Sequence, residues 1–205
     1  MRRSVLPSPT SFLSRLANEP NELRKKMLLL GYVSERMARR KASVFLVGGQ
    51  AVETYTGGVF TTGDIDITTT DTRGTEALLE KLSFVKEGMI WVSVRLGMAV
   101  HLVASYPRRS IRHRTFEVDG YLVKVVGVED LIVDRLCAAK FWRSERDAEQ
   151  AKALIEVFRE SIDDGYLEEL ARAENVYDSL SQAKSRPGKG RQAVGSGKSS
   201  VGATD

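Results

Sequence analysis

The feature that most constrains the fold is a short apolar run, residues 43–47, that stops at two glycines. Its sequence, Ser-Val-Phe-Leu-Val, is typical of a buried strand. Gly48 and Gly49 follow directly, and residues 50–55 then read as a short helix. Glycine allows the sharp turn that such a change requires, and the start of a helix there favours phosphate. The two glycines therefore predict either a phosphate-binding turn or an ordinary tight turn.

Two aspartates mark the second predicted strand, residues 65–69. Side chains at positions i and i+2 of a strand share a face, so Asp64 and Asp66 project together while Ile65 and Ile67 enter the core. Two carboxylates this close repel each other, which raises the pKa of one of them unless a cation lies between them. Such oxygen ligands suit Mg²⁺. The pair predicts a site for Mg²⁺ (or Mn²⁺), with a solvated strand end as the alternative.

The remaining patterns predict a mixed α/β (α+β) fold. A long helix covers about residues 20–40, and strands follow at 90–94, 98–103, 115–118 and 121–126. Helices at about 75–82, 129–140, 144–158 and 166–180 complete the pattern. Asp119-Gly120 predicts a tight hairpin between the last two strands. The aromatic residues Trp91, Phe141 and Trp142 are expected in the core or packed against helices. We expect a mixed sheet flanked by helices, with further helices at the C-terminal end. The predicted organisation is a flexible N-terminus (1–19), a domain (20–182, core 42–127, helical part 128–182) and a disordered basic tail (183–205).

Charge, hydropathy and cysteine content limit the classes of protein to which this chain can belong. The chain of 205 residues has a net charge of +4, and the tail alone carries that excess, so residues 1–182 are formally neutral. Basicity therefore argues for nucleic-acid binding by the tail and not by the fold. No apolar run is long enough to span a membrane. The single cysteine, Cys137, is compatible with a reducing compartment, and we expect a cytoplasmic protein.

The glycine turn and the paired aspartates together resemble the nucleotidyltransferase superfamily. Its members combine a Gly-Gly or Gly-Ser turn with a following Asp-x-Asp or Asp-x-Glu strand. The chain is similar to the branch of minimal and AbiEii toxin-like nucleotidyltransferases, in which a helix with a Lys-Leu-x-Ala element precedes an Arg-Asp pair. The matching segments are residues 45–52, 62–67, 129–138 and 146–147.

The resemblance implies transfer of a nucleotide from an NTP to a hydroxyl of an RNA, a protein or a small molecule. It also implies a role as a toxin–antitoxin component, with a cognate antitoxin as a further partner. Asp64 and Asp66 would hold Mg²⁺ or Mn²⁺, and Gly48 and Gly49 would hold the triphosphate. The residues with supporting roles in nucleotide binding would be Arg135, Lys140 and Asp147.

The sequence departs from the family pattern at two positions. A later strand usually supplies a third carboxylate, where this chain has His101, and Arg135 replaces the usual lysine. His101 either acts as a base or nitrogen ligand, or marks a site that no longer turns over. The alternative function is therefore a catalytically degenerate module of the same fold that senses a nucleotide or binds a partner.

Overall fold

The computed structural model describes residues 7–103 and 112–185, which form eight helices and seven strands. The helices are α1 (Pro9–Ala17), α2 (Glu22–Ala38), α3 (Gly48–Tyr55), α4 (Thr72–Lys81), α5 (Val128–Phe141), α6 (Glu145–Val157), α7 (Asp164–Ala173) and α8 (Tyr177–Lys184). The strands are β1 (Val44–Leu46), β2 (Asp64–Thr69), β3 (Val85–Glu87), β4 (Ile90–Ser93), β5 (Met98–Leu102), β6 (His113–Val118) and β7 (Tyr121–Val126).

The seven strands form one mixed sheet in the order β3-β4-β5-β2-β1-β7-β6. β1 is antiparallel to β2 and parallel to β7, and β2 is parallel to β5. The outer pairs β3–β4, β4–β5 and β6–β7 are antiparallel. The expected mixed α/β class is therefore confirmed, including the hairpin at Asp119 and Gly120, which both have positive φ as a tight two-residue turn requires.

The register brings the predicted motifs to one place. Leu46 at the end of β1 pairs with Ile67 of β2, and the amide of Val47 donates to the carbonyl of Asp66. β5 runs alongside β2 on its other side, with His101 opposite Asp66. The turn after β1, the first half of β2 and the second half of β5 therefore meet at one edge of the central sheet.

The N-terminal region differs from the sequence-based expectation. Residues 1–19 were predicted to be flexible, but residues 9–17 form α1, which buries Phe12, Leu13 and Leu16. Pro9 would weaken this helix if it lay in the interior. Instead Ser8 caps α1, and Pro9 occupies its first position, where the missing amide hydrogen has no helical partner to lose. Burying each such apolar side chain stabilises the fold by about 1.5–3 kcal/mol.

The C-terminal region needs a second correction. The helix predicted over residues 166–180 is two helices, α7 and α8, separated at Asn175 with φ of 59°. Asparagine tolerates this left-handed conformation better than most residues do, so it ends α7 without a glycine. The tail was predicted to be disordered from residue 183, but Ala183 and Lys184 belong to α8, and residues 186–205 lie outside the described part of the chain. Across residues 7–103 and 112–185, every helix is too short or too polar to cross a bilayer.

Candidate active site

The turn after β1 lies directly against the second aspartate. Gly48 begins α3 with φ of +63°, and a Cβ added at this position would lie 2.3 Å from Oδ2 of Asp66. Both the backbone conformation and the contact therefore require glycine here. The N-cap of α3 is Val47, which supplies no capping hydrogen bond from its side chain. The backbone of Gly49 forms a hydrogen bond with Asp66, so this carboxylate satisfies part of the helix N-terminus.

Asp66 has a second partner in His101. Nδ1 of His101 lies 3.0 Å from Oδ1 of Asp66, which is the geometry of a hydrogen bond. Burial raises the pKa of the Asp66 carboxyl above its ordinary value, and the charge of Asp64 adds to this rise, while the bond from His101 opposes it. The strand that the family pattern uses for a third carboxylate thus places an imidazole against the second one.

Asp64 is positioned by a threonine that sequence reasoning missed. The hydroxyl of Thr62 donates to Oδ1 of Asp64 over 3.1 Å. Thr62 is itself fixed through its backbone, because its carbonyl accepts from Nζ of Lys26 at 2.7 Å and its amide donates to Oε2 of Glu53 at 3.3 Å. The loop before β2 is therefore tied to α2 and α3 at the residue that contacts the first aspartate.

Lys26 and Glu53 form a buried ion pair with 3.1 Å between Nζ and Oε2. Their relative exposures are 8% and 4%. Burying two charges is costly, so such a pair is poor evidence for stability and better evidence that a particular geometry is being held. The sequence gives only a weak indication that Lys26 is buried, because this lysine directly precedes the apolar run of residues 27–30 in α2.

Arg135 and Asp147 join α5 and α6 beside the carboxylates. Nη1 of Arg135 lies 2.7 Å from Oδ1 of Asp147, and Nη2 lies 2.5 Å from Oδ2 of Asp134. Burial lowers the pKa of Arg135, but the charges of Asp134, Asp147 and Asp66 outweigh it and raise the pKa. Nε of Arg135 is buried without a hydrogen-bond partner among the described residues.

Lys140 is not brought to the carboxylates by the contacts described for it. Its Nζ donates to the carbonyl of Asn175, at the turn between α7 and α8, and lies 5.5 Å from the ring of Phe141. The structure therefore groups seven of the eight predicted site residues and leaves Lys140 at the far end of α5. The grouped residues are Gly48, Gly49, Asp64, Asp66, His101, Arg135 and Asp147.

The donor set suits a hard cation that keeps part of its own shell. Asp64 and Asp66 lie on the same face of β2, and both are partly accessible. In the described part of the chain, no three histidine, cysteine or acidic side chains converge to hold a metal. Two carboxylates are compatible with Mg²⁺, which is commonly bound through one or two carboxylates, with water and substrate phosphates completing the octahedron.

Comparisons with known proteins agree on the fold. No protein-family model matches the chain, and no curated protein sequence resembles it significantly. Among solved structures, an antigenic nucleotidyltransferase-like protein from Paracoccidioides brasiliensis is similar with a TM-score of 0.52 and 17% identity, over 80% of this chain and 92% of that one.

Two structures of the antibiotic-resistance factor ANT(2'')-Ia are similar to the same extent. The solution structure has a TM-score of 0.52 and 17% identity, over 79% of this chain and 97% of that one. The crystal structure with adenylyl-2''-tobramycin has a TM-score of 0.51 and 18% identity, over 74% of this chain and 97% of that one. At such identities the likeness concerns architecture, and on that ground the chain has the nucleotidyltransferase-like fold.

Proposed function

We propose that this protein transfers a nucleotidyl group from an NTP to a hydroxyl acceptor at the edge formed by β1, β2 and β5. The observation that carries the proposal is the approach of Gly48 to Asp66. A glycine at φ of +63° whose Cβ would collide with a carboxylate oxygen keeps the start of α3 and the aspartates in direct contact. This contact unites an anion-binding element with a cation-binding one, as an NTP–metal complex requires.

The triphosphate has two sources of binding energy in this site. The start of α3 offers backbone N–H groups with the positive end of the helix dipole. Arg135 supplies a positive charge that interacts with Asp66, and its planar guanidinium suits phosphate oxygens. Because Arg135 is held by Asp134 and Asp147, it is oriented before the nucleotide arrives.

Asp64 and Asp66 would hold the divalent ion, Mg²⁺ or Mn²⁺. When bound, such an ion neutralises phosphate charge and stabilises the oxygens that attack and leave in an in-line displacement. The acceptor oxygen forms a bond to the α-phosphorus, and the bond to pyrophosphate breaks. In the neutral tautomer whose Nδ1–H donates to Asp66, Nε2 of His101 carries the lone pair that would take the proton of the hydroxyl.

For the acceptor we propose a hydroxyl of an RNA, a protein or a small molecule, within a toxin–antitoxin pair. The adenylylated tobramycin bound to ANT(2'')-Ia supports a hydroxyl acceptor in general, since that protein shares the fold. The toxin-like assignment rests on the sequence resemblance of residues 129–138 and 146–147 to that branch.

A second function is favoured by one specific contact. Nδ1 of His101 is within hydrogen-bond distance of one carboxylate oxygen of Asp66, and this histidine stands where the family pattern has a third carboxylate. A site of this kind can bind a nucleotide without transferring it. The second candidate is therefore a nucleotide-sensing or partner-binding module.

Release of pyrophosphate distinguishes the two functions. The protein is incubated with each NTP, Mg²⁺ or Mn²⁺ and candidate acceptors, and pyrophosphate is measured for wild type and for Asp64→Asn/Asp66→Asn. Release that is lost in the double variant supports transfer. Metal-dependent NTP binding with no release under any condition supports the sensing module.

A further inference from the structure

Two neighbouring aromatic side chains at the end of α5 are exposed to solvent. Trp142 is 80% exposed and Phe141 is 58% exposed. The sequence-based expectation was that both would pack against helices, and the structure corrects it. The other tryptophan of the chain, Trp91, is only 2% exposed. Contiguous exposed apolar patches rimmed by polar residues mark interaction sites, so this pair is a candidate binding surface.

Trp142, the C-cap of α5, lies on the site side of this helix. It follows Arg135 by seven residues, which is nearly two helical turns, so the two positions share a face about 10 Å apart along the axis. The start of α6 also contacts the loop before β2, because the guanidinium of Arg146 donates to the carbonyl of Thr61. Thr61 is three residues before Asp64. The helix that follows Trp142 is therefore joined to the segment that delivers the first aspartate.

Positive charge surrounds the aromatic pair. Residues 140–146 contain three basic side chains and one acidic one. Lys140 lies 5.5 Å from the ring of Phe141, Arg143 follows Trp142, and Arg146 is one turn further. Basic side chains beside exposed aromatic rings suit a ligand that alternates flat bases with phosphates. Lys140 favours such a ligand over a protein partner, since protein interfaces are depleted of lysine, whereas the aromatic and arginine side chains suit either.

We propose that Trp142 and Phe141 are a stacking surface for the bases of a single-stranded nucleic acid, and that this strand carries the acceptor hydroxyl. The assignment of the acceptor rests on the proposed nucleotidyl transfer, whereas strand binding itself does not. The basic side chains Lys140, Arg143 and Arg146 would contact its phosphates. A strand stacked on Trp142 would extend along α5 towards Arg135 and the carboxylates. Sequence preference would be weak, because every base has a face that can stack.

The test is oligonucleotide binding by the full chain without NTP or metal. Labelled single-stranded RNA is titrated with wild type, Trp142→Ala and Trp142→Phe, and binding is measured by anisotropy. We expect Trp142→Ala to raise the Kd about 5- to 150-fold, the range for loss of one stacked base, and Trp142→Phe to retain most of the affinity. Met89→Ala is the control, since Met89 is 77% exposed on another part of the surface.

Intrinsic fluorescence gives a second readout on wild type. Trp142 is exposed and Trp91 is buried, so stacking of a base should quench the emission of Trp142 in a saturable way. Circular dichroism confirms that each variant is folded. The basic residues 186–205 are present in every variant, so their contribution to RNA binding is common to all of them.

Three outcomes would overturn the proposal: equal affinity of wild type and Trp142→Ala, equal affinity for single strands and for the matching duplex, or quenching by mononucleotides as strong as by the oligonucleotide. The last would assign the surface to the NTP. Strand binding is measured without NTP or metal, whereas transfer requires both. A failure of strand binding and a failure of the proposed transfer are therefore distinguishable.

Discussion

Nδ1 of His101 lies 3.0 Å from Oδ1 of Asp66, across the parallel pairing of β5 and β2. The two residues are directly opposite in register, so any side chain at position 101 faces the second aspartate. A carboxylate there would complete a triad of acids, whereas the imidazole gives Asp66 a hydrogen-bond partner and adds no negative charge. The identity of residue 101 therefore sets how strongly the site depends on a cation.

Replacing His101 by aspartate should make the protein depend on a divalent metal. In the His101→Asp variant three carboxylates repel one another, so we expect a lower melting temperature than wild type without metal. Added Mg²⁺ or Mn²⁺ should raise it more than in wild type, by about 2–4 °C for each kcal/mol of binding in a chain of this size. Thermal unfolding with and without metal measures both effects. An identical response of variant and wild type to metal would contradict the assignment of this edge as the cation site.

The contact between Gly48 and Asp66 yields a matched pair of variants. Gly48→Ala and Gly57→Ala both place a Cβ at φ of +63°, which costs about 1–2 kcal/mol in each case. Only at position 48 does the new Cβ collide with a carboxylate, because nothing lies within 4 Å of position 57. Gly48→Ala should therefore abolish NTP binding, and Gly57→Ala should leave it close to wild type. Calorimetric titration measures binding, and equal effects of the two variants would contradict a specific role for the turn.

The buried ion pair should be costly to break. Lys26→Met leaves Glu53 charged, buried and unpaired, and we expect a loss of about 3–5 kcal/mol in the free energy of unfolding. Lys26→Met/Glu53→Met should recover only part of this loss, because the backbone amide and carbonyl of Thr62 lose their partners as well. Urea unfolding measures these values.

Lys25→Met is the control for the ion pair. Lys25 is the preceding lysine of α2 and is itself only 9% exposed, but the carboxylate of its partner Glu22, 3.5 Å away, is largely exposed. Lys25→Met therefore leaves no buried charge without a partner, so this variant should lose at most about 1 kcal/mol. A loss in Lys26→Met no larger than that in Lys25→Met would show that the buried pair does not hold the loop before Asp64.

The cap of α4 gives a prediction with a defined pH dependence. The side chain of Asp71 accepts from the amide of Gly74, and this bond, with Arg40 nearby, lowers the pKa of Asp71 below its ordinary value. A lowered pKa means that the charged form stabilises the fold above the unfolded pKa, about 3.9, and that this contribution is lost as the pH falls through the folded pKa. Asp71→Asn should therefore have a lower melting temperature than wild type at pH 7, and this difference should shrink as the pH falls towards the pKa of Asp71. A difference in melting temperature that stays constant with pH would contradict an electrostatic origin of this stabilisation.

The sequence predicted the parts of the site that depend on strand periodicity. The alternation of Asp64, Ile65, Asp66 and Ile67 defines which side chains share a face, and the apolar run before Gly48 defines where β1 ends. These are local patterns, and they locate the two motifs in the chain. The two motifs come together in space because β1, β2 and β5 pair with one another. Residue spacing alone does not predict this pairing, whereas the resemblance to a known family implies it.

Features that depend on tertiary contacts were missed. Lys26 looks like an ordinary helical lysine until α3 places Glu53 beside it. The break at Asn175 lies within an uninterrupted helical pattern, and only its positive φ reveals the end of α7. Trp142 follows a helical apolar pattern and was expected to pack, but no helix covers enough of it to bury more than a fifth of its surface.

In the proposed function, Asp64 and Asp66 hold a metal-bound NTP against the turn at Gly48. Calorimetric titration of each NTP, with and without Mg²⁺ or Mn²⁺, tests this on wild type and on Asp64→Asn/Asp66→Asn, with Asp71→Asn as a folded control outside the site. We expect NTP binding that requires the metal, is lost in the double variant and is kept in Asp71→Asn. Binding of no NTP by wild type, or equal binding by the double variant, would contradict it.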